Sequence, residues 1–241
     1  MLKIWMISLI GMCTICGSSA ATPPVRQYDA SGAPPFEVLE PGMSPPLDAH
    51  DNFVIGPDYV PAPENKRVDG VPQGRVQQFT IDSRDTKIYN PGIARREFGT
   101  VDPNNPKTLI VDTHEIDYVR QITVYVPAQY KSGNAAPFMV SHDGPKEEPN
   151  LLLPRILDNL IAQGRIPPII LIQMANGGGD AQGHQRGKEY DNMSGLFAEY
   201  IETEILPRVE QKCQVKLTSD PEGRAAMGSS SGGSASLIMA W

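Results

Sequence analysis

The sequence contains the run Arg224-Ala225-Ala226-Met227-Gly228-Ser229-Ser230-Ser231-Gly232-Gly233, followed by the helix-compatible run from Ser234 to Trp241. A short apolar strand, a sharp turn and a helix in this order are typical of the Gly-x-Ser-x-Gly turn. Such a turn holds its central serine in a strained conformation and leaves no room for side chains two residues away on either side. Gly228 and Gly232 stand at those positions, so the pattern predicts that Ser230 is an exposed nucleophile.

The register of this turn has one alternative. If Ser231 were the central residue, Ser229 would replace the first glycine, so Ser230 fits the spacing better. The N terminus of the following helix would then point at the reacting carbonyl, and the backbone N–H of Ser231 is the predicted donor to an oxyanion. A flexible Gly/Ser loop is the alternative interpretation of the whole segment, and the strand and helix on either side argue against it.

A second loop is predicted to supply another oxyanion donor. It follows the apolar run from Phe138 to Val140 and reads Ser141-His142-Asp143-Gly144-Pro145. Asp143 or Gly144 could offer the backbone N–H, whereas Pro145 has none. An ordinary turn is the alternative, because Asp-Gly-Pro is also strong turn chemistry.

Hydrophobic periodicity predicts the strands. Period-two alternation over Arg75 to Ile81 and over Val119 to Val126 indicates half-buried early strands that pair in antiparallel fashion. The runs from Phe138 to Val140 and from Ile169 to Ile172 are continuously apolar. This is typical of parallel strands that helices cover on both faces.

Two helices are predicted among these strands. One extends from Leu152 to about Gln163, and the other extends from Leu196 to Val209 with a kink at Pro207. Strands that alternate with helices form right-handed crossovers. The predicted fold class is therefore α/β, a three-layer sandwich with a mostly parallel central sheet, over residues 75–241.

The amino-terminal residues predict export. Lys3 precedes an apolar run from Ile4 to Met12, and small residues follow from Gly17 to Ala21. This is the layout of a secretory signal peptide over residues 1–21. The apolar run is shorter than the ~20 residues that a spanning helix needs, so we expect cleavage, no stable membrane span, and a secreted or periplasmic location.

The cysteines bear on the same question. A lipoprotein anchor at Cys13 or Cys16 is the less favoured alternative, because Met12 or Ile15 replaces the small residue that usually precedes the anchored cysteine. Cleavage would leave Cys213 without an intramolecular partner, so cysteine spacing predicts neither a disulfide framework nor a metal cluster.

Composition limits the remaining choices. Prolines recur over residues 22–74, and they predict an extended, partly disordered arm without a regular helix or central strand. A proline-rich docking ligand is the alternative interpretation of that arm. The formal net charge of -7 speaks against a nucleic-acid partner, which usually requires clustered lysine and arginine.

The loop from Asn176 to Gly187 follows a predicted buried strand and should border the ligand crevice. It has the spacing of neither a phosphate-binding glycine motif nor a calcium loop, so no cofactor and no metal are predicted. Arg186, Glu189 and Tyr190 are candidate substrate-binding residues. An ion pair that pins the loop is the alternative.

From about Gly70 to Trp241 the chain resembles the putative esterase family of the α/β-hydrolase superfamily, which includes enterochelin esterase-like proteins, feruloyl esterases and S-formylglutathione hydrolases. Besides the serine turn, the matching stretches are His142-Asp143-Gly144, Leu157-Asp158-Asn159-Leu160-Ile161, the segment from Arg186 to Tyr190, Glu204-Ile205-Leu206-Pro207 and Asp220-Pro221-Glu222-Gly223-Arg224. The resemblance implies that Ser230 is the nucleophile and that Ser231 and the Asp143-Gly144 loop supply the oxyanion donors.

The remaining members of a catalytic triad are expected outside this sequence. His50, His114, His142 and His184 all precede Ser230. In α/β-hydrolases the order along the chain is serine, acid, histidine, so none of the four is assigned as the base. The helix after the serine turn ends at Trp241 without a capping signal, and we therefore expect a fold truncated after that helix and inactive as this stretch alone.

The function implied is hydrolysis of carboxylic esters through an acyl-enzyme on Ser230. Expected substrates are small-molecule or polysaccharide esters, such as siderophore-like lactones and feruloyl or acetyl esters. Two alternatives stay open: a non-catalytic carbohydrate-binding or surface module on the same fold, and an acyltransferase.

Overall fold

The computed structural model describes residues 36–39, 52–55, 60–97, 99–144, 152–180 and 182–240. The predicted signal peptide, including Cys13 and Cys16, lies outside the described residues, as do most of the proline-rich arm, Pro145 and Trp241. No helix in the described part of the chain has the length and hydropathy of a membrane span.

Strands form most of the regular structure. In chain order they are β1 (Phe36–Leu39), β2 (Asn52–Ile55), β3 (Arg75–Asp82), β4 (Gly92–Arg95), β5 (Thr100–Asp102), β6 (Asn105–Ile110), β7 (Thr113–Ile116), β8 (Val119–Val126), β9 (Ala135–Ala136), β10 (Phe138–His142), β11 (Ile170–Met174), β12 (Lys216–Leu217) and β13 (Arg224–Met227). The helices are α1 (Leu152–Ala162), α2 (Gln185–Tyr190), α3 (Leu196–Tyr200), α4 (Leu206–Cys213) and α5 (Ser231–Ala240), with a π-helical turn at Ile201–Ile205 between α3 and α4.

The strands β1 and β2 pair in parallel, with Phe36 opposite Asn52. They belong to a different compact unit from the residues that begin at Glu64. The prediction of an extended arm did not anticipate this pairing. Neither four-residue strand contains a proline, so every backbone N–H in them remains a possible donor.

The central sheet has the strand order β13-β10-β11-β8-β3. The strands β13, β10 and β11 are parallel, whereas β8 is antiparallel to both β11 and β3. Reversal at β8 alone leaves the other four strands pointing the same way. The predicted mostly parallel sheet is confirmed, and the predicted strands all lie in it.

Helices cover both faces of this sheet. On one face, Leu157 and Ile161 of α1 pack with Tyr125 and Leu171. The strand residues that alternate with these, such as Val124, Ile170 and Ile172, face the other side of the sheet. There they form a larger core with residues of the helices and the π turn: Tyr190 of α2, Phe197 of α3, Ile205 of the π turn, Val209 of α4 and Ala235 of α5. Each such side chain contributes about 1.5–3 kcal/mol when it leaves water. The three-layer sandwich is therefore confirmed.

The second predicted helix is interrupted rather than simply kinked. Between Ile201 and Ile205 the backbone forms a π turn, and Pro207 stands in the first turn of α4. A proline lacks the N–H that would continue an α-helical ladder, so the wider turn precedes it. The helix α4 then ends at Cys213, and the next residue, Gln214, caps it with a left-handed φ of 53°.

Two antiparallel pairs lie between β3 and β8 and were not predicted. The strand β4 pairs with β7, and β5 pairs with β6 with a bulge near Val101 and Asp102. The strands β5, β6 and β7 are mostly polar and exposed, and β4 has only four residues, so these strands lack the apolar alternation that identified the central strands.

Candidate active site

The serine turn follows β13 and has the strained backbone that its glycines permit. Ser230 has a φ of 54°, which L residues rarely adopt, and its side chain is exposed. A Cβ on Gly228 would lie 2.2 Å from the carbonyl oxygen of Gly232. A Cβ on Gly232 would lie 3.2 Å from the Cβ of His142. Gly228 is therefore required by the close approach of the Gly232 backbone, whereas a side chain at Gly232 would crowd the His142 side chain.

The helix α5 begins directly after Ser230. The carbonyl of Ser230 accepts hydrogen bonds from the N–H groups of Gly233 at 2.9 Å and Ser234 at 3.1 Å. Within the described residues, no acceptor takes the N–H of Ser231, the first residue of the helix. The positive end of the helix dipole therefore presents a free donor beside the Ser230 side chain, where the oxyanion prediction requires one.

The second predicted loop meets the serine turn at one edge of the sheet. Ser141 of β10 stands opposite Met227 of β13, so the two parallel strands end side by side. Asp143 has a φ of 59°, and its Oδ2 lies 3.4 Å from the position that a Cβ on Gly232 would take. The structure thus brings together the two turns that the sequence analysis singled out.

Gly144 is less suited to the role of oxyanion donor than the sequence indicated. Its N–H donates to the carbonyl of Met174 at 3.3 Å, at the end of the neighbouring strand β11. Because this N–H already has an acceptor, the prediction that it serves the oxyanion is not supported in this conformation. Asp143 also interacts with the Tyr190 hydroxyl through its backbone, so Ser231 is the predicted donor whose N–H has no acceptor within the described residues.

The carboxylate of Asp143 is held by two side chains, one from the loop that follows β11 and one from α2. Arg186 donates from Nε to Oδ1 at 3.0 Å and from Nη2 to Oδ2 at 2.8 Å, which makes the pair bidentate. Asn176 donates from Nδ2 to Oδ1 at 2.7 Å. The hydrogen bonds to Asp143 raise the pKa of Arg186 above its usual value. Arg186 was predicted to contact substrate, and here its guanidinium is engaged with Asp143.

Glu189 does not border an open pocket. It is 2% exposed, and its carboxylate accepts hydrogen bonds from Arg120, from Gln185 at 2.9 Å and from the Gly177 N–H at 3.3 Å. Burial has the largest single influence and acts to lower the pKa of Arg120, but Glu189, Tyr200 and Tyr118 together raise that pKa well above its usual value. Glu189 therefore matches the alternative stated from the sequence, an ion pair that pins the loop. The prediction that Glu189 binds substrate is not supported.

Tyr190 is also unsuited to substrate contact in this conformation, because it is 0% exposed. Its ring centroid lies 5.3 Å from that of His142, which also packs against Phe197 at 5.4 Å. Burial lowers the pKa of His142 to about 4, so this imidazole is neutral near pH 7. Neither ring nitrogen of His142 has a partner within the described residues.

No histidine in the described part of the chain is hydrogen-bonded to Ser230. His142 is buried, and His184 lies with Nε2 3.7 Å from Oδ1 of Asp180. His50 lies outside the described residues. The same part of the chain contains no cluster of three or more His, Cys, Asp or Glu residues that could hold a metal ion.

Comparison with known sequences finds one family. A family model described as "Putative esterase" matches residues 113–241, which is more than half of the chain. No curated protein matches the sequence.

Several solved structures are similar to the chain. The feruloyl esterase module from Clostridium thermocellum, complexed with sinapinate, shares 18% identity over 72% of this chain and 51% of its own, with a TM-score of 0.40. A ferulic acid esterase from Anaeromyces mucronatus shares 16% identity over 72% of this chain and 55% of its own, with a TM-score of 0.44. The enterobactin esterase from Shigella flexneri shares 19% identity over 50% of this chain and 29% of its own, with a TM-score of 0.40. The chain thus spans about half of the two feruloyl esterases and less of the third structure.

Proposed function

Because this chain belongs to the putative esterase family, we propose that the protein hydrolyses carboxylic esters through an acyl-enzyme formed on Ser230. One observation supports Ser230 above all. Its side chain is exposed on a left-handed backbone between two glycines, at the N terminus of α5. Maintaining this conformation at a residue with a Cβ costs free energy, and strained residues of this kind cluster at functional sites.

The proposed reaction has two steps. The Oγ of Ser230 attacks the ester carbonyl while a general base takes its proton, and the N–H of Ser231 donates a hydrogen bond to the oxyanion. The tetrahedral intermediate then expels the alkoxide, which receives the proton from the general base and leaves as the alcohol. An acyl group remains on Oγ. Water attacks that acyl group in the second step, releases the acid and restores the serine.

The base is proposed to be a histidine other than the four in this sequence. The chain order of the triad supports this proposal, because every histidine here precedes Ser230. The buried and neutral His142 is also a poor candidate, since its ring packs between Tyr190 and Phe197.

The proposed substrates are esters met outside the cytoplasm. The signal-peptide pattern supports export, and export favours siderophore-like lactones and feruloyl or acetyl esters of polysaccharides over a cytosolic thioester. A small-molecule or polysaccharide ester is therefore the proposed partner.

Hydrolysis by the protein expressed from its complete reading frame tests the proposal. We expect release of acid from p-nitrophenyl acetate, methyl ferulate, acetylated xylan or a trilactone siderophore. The variant Ser230→Ala should lose on the order of a thousandfold or more in kcat, because the nucleophile is gone. The matched variant Ser229→Ala should stay within a few-fold of the wild type, since the side chain of Ser229 has no role in the reaction.

The same assay separates the alternatives. Binding of polysaccharide without hydrolysis of any ester would favour a non-catalytic module. Transfer of the acyl group to an added alcohol in preference to water would favour an acyltransferase. Equal rates for Ser230→Ala and the wild type would contradict the proposed mechanism.

A further inference from the structure

A carboxylate stands beside the place where the proposed oxyanion would form. The Oδ2 of Asp143 lies 3.4 Å from the position of a Cβ on Gly232, in the first turn of α5. The N–H of Ser231 belongs to the same turn. A bare negative charge there would oppose a second negative charge on a substrate oxygen, because like charges at short range repel.

The guanidinium of Arg186 removes this conflict. It forms two hydrogen bonds with the Asp143 carboxylate, at 3.0 and 2.8 Å, and the two side chains are only 16% and 10% exposed. A bidentate pair with little access to water is screened weakly by salt and keeps its geometry. The guanidinium of Arg186 thus cancels the negative charge of the Asp143 carboxylate.

Arg186 is itself held from several sides. Its N–H donates to the Gly178 carbonyl at 3.0 Å, and its Nη1 donates to the Asp180 carbonyl at 2.8 Å. Its guanidinium carbon lies 5.2 Å from the centre of the Tyr190 ring. The arginine therefore reaches Asp143 with a fixed geometry and fixes in turn the left-handed backbone of Asp143.

We propose that Arg186 is a positioning residue for the proposed ester hydrolysis, which holds the Asp143 turn in place and cancels the charge of its carboxylate beside Ser230. The inference rests on the proposed function. It differs from the substrate-binding role that the sequence indicated, because the partner of Arg186 is a side chain of this protein.

A double-mutant cycle in the complete protein tests this role. The variants are Arg186→Gln, Asp143→Asn and the two combined, and the readouts are kcat and KM for p-nitrophenyl acetate and the rate at which a fluorophosphonate labels Ser230. Arg186→Gln should lower kcat and the labelling rate about a hundredfold, the effect of losing one oxyanion donor, with little change in KM. The double variant should recover most of this loss, because the uncompensated carboxylate is gone.

Two further variants keep the result decisive. Arg84→Gln breaks an exposed pair with Asp82 and should leave kcat unchanged. Arg186→Lys keeps the charge but loses the bidentate geometry, and should lower kcat about tenfold. It replaces Arg186→Gln in the cycle if the glutamine variant fails to fold by circular dichroism.

The outcomes separate this inference from the proposed function. An active wild type with no loss of kcat in Arg186→Gln, or with a rise in KM alone, would overturn the positioning role and leave the serine mechanism intact. A double variant as slow as Arg186→Gln would also overturn it. A wild type that neither hydrolyses esters nor is labelled at Ser230 would overturn both.

Discussion

Two turns at the same edge of the sheet place a residue with a side chain in the left-handed region, and they are held there by different means. Ser230 has a φ of 54° and Asp143 a φ of 59°. The serine turn depends on Gly228 and Gly232, which are two residues away. The aspartate turn depends on Arg186, which is 43 residues away. Strain of similar kind can therefore be encoded locally by glycines or imposed from a distance by an ion pair.

The largest effect on the free energy of unfolding is expected for the helix that carries Arg186 to the Asp143 turn. The helix α2 carries both Arg186 and Glu189, and the Glu189 and Arg120 side chains pair with each other at 0% exposure. Glu189→Gln leaves the Arg120 cation buried without a counter-charge, which should cost about 3–5 kcal/mol in the free energy of unfolding. Urea unfolding measures this loss.

The matched control for this prediction is Glu202→Gln. Glu202 pairs with Arg224 at 2.8 Å, but its side chain is 55% exposed, so its loss should cost no more than about 1 kcal/mol. If the two variants proved equally stable, the buried pair would not be the support described here.

The buried His142, which lies next to both turns, should make the free energy of unfolding depend on pH. The expected change is nearly as large as the loss predicted for Glu189→Gln. Burial lowers the pKa of His142 from 6.5 to about 4, with Asp143 opposing and Arg120 reinforcing the shift. The unfolded chain therefore binds a proton first as the pH falls. The stabilisation is fully present above pH 6.5 and is lost between pH 6.5 and 4, by about 3 kcal/mol in total.

Unfolding followed at several pH values checks this sign. His142→Gln should show a shallower loss of stability between pH 6.5 and 4 than the wild type. A wild-type stability that rises as the pH falls through this range would contradict the buried, neutral imidazole.

The local support of the serine turn is tested by Gly228→Ala. The new Cβ would lie 2.2 Å from the Gly232 carbonyl oxygen, so the backbone must shift, at a cost of about 1–3 kcal/mol. We also expect about a hundredfold slower labelling of Ser230, because the displaced serine loses its alignment. Gly195→Ala is the control, since a Cβ there meets nothing within 4 Å. Unchanged labelling in Gly228→Ala would show that the turn does not need its glycines.

The smallest expected effect on stability comes from replacing Ser230 or Asp143 by glycine. It distinguishes the two turns most clearly, because the replacement should stabilise the protein at one turn and destabilise it at the other. Ser230→Gly relieves the strain of a left-handed residue and should stabilise the protein by about 1 kcal/mol relative to Ser230→Ala. Asp143→Gly relieves the same strain but removes the hydrogen bonds from Arg186 and Asn176, and should destabilise it. Thermal unfolding of the variants decides, and stabilisation by both glycines would show that the ion pair does not support its turn.

The same contrast explains what the sequence could and could not predict. The strands, α1 and the serine turn follow from apolar periodicity and glycine spacing, which act over a few residues. The pairing of Asp143 with Arg186 and of Arg120 with Glu189 depends on chain folding over 43 and 69 residues. The sequence pointed to Asp143, Arg186 and Glu189 as site residues and offered an ion pair in the loop as the alternative, but no local pattern indicates that Arg186 pairs with Asp143 or that Glu189 pairs with Arg120.

Peptide mapping by mass spectrometry after fluorophosphonate treatment tests the central claim most directly. The account predicts, for the protein expressed from its complete reading frame, a single adduct on Ser230 that Ser230→Ala abolishes. An adduct on Ser229 or Ser231 instead, or an unlabelled protein that still hydrolyses esters, would contradict it.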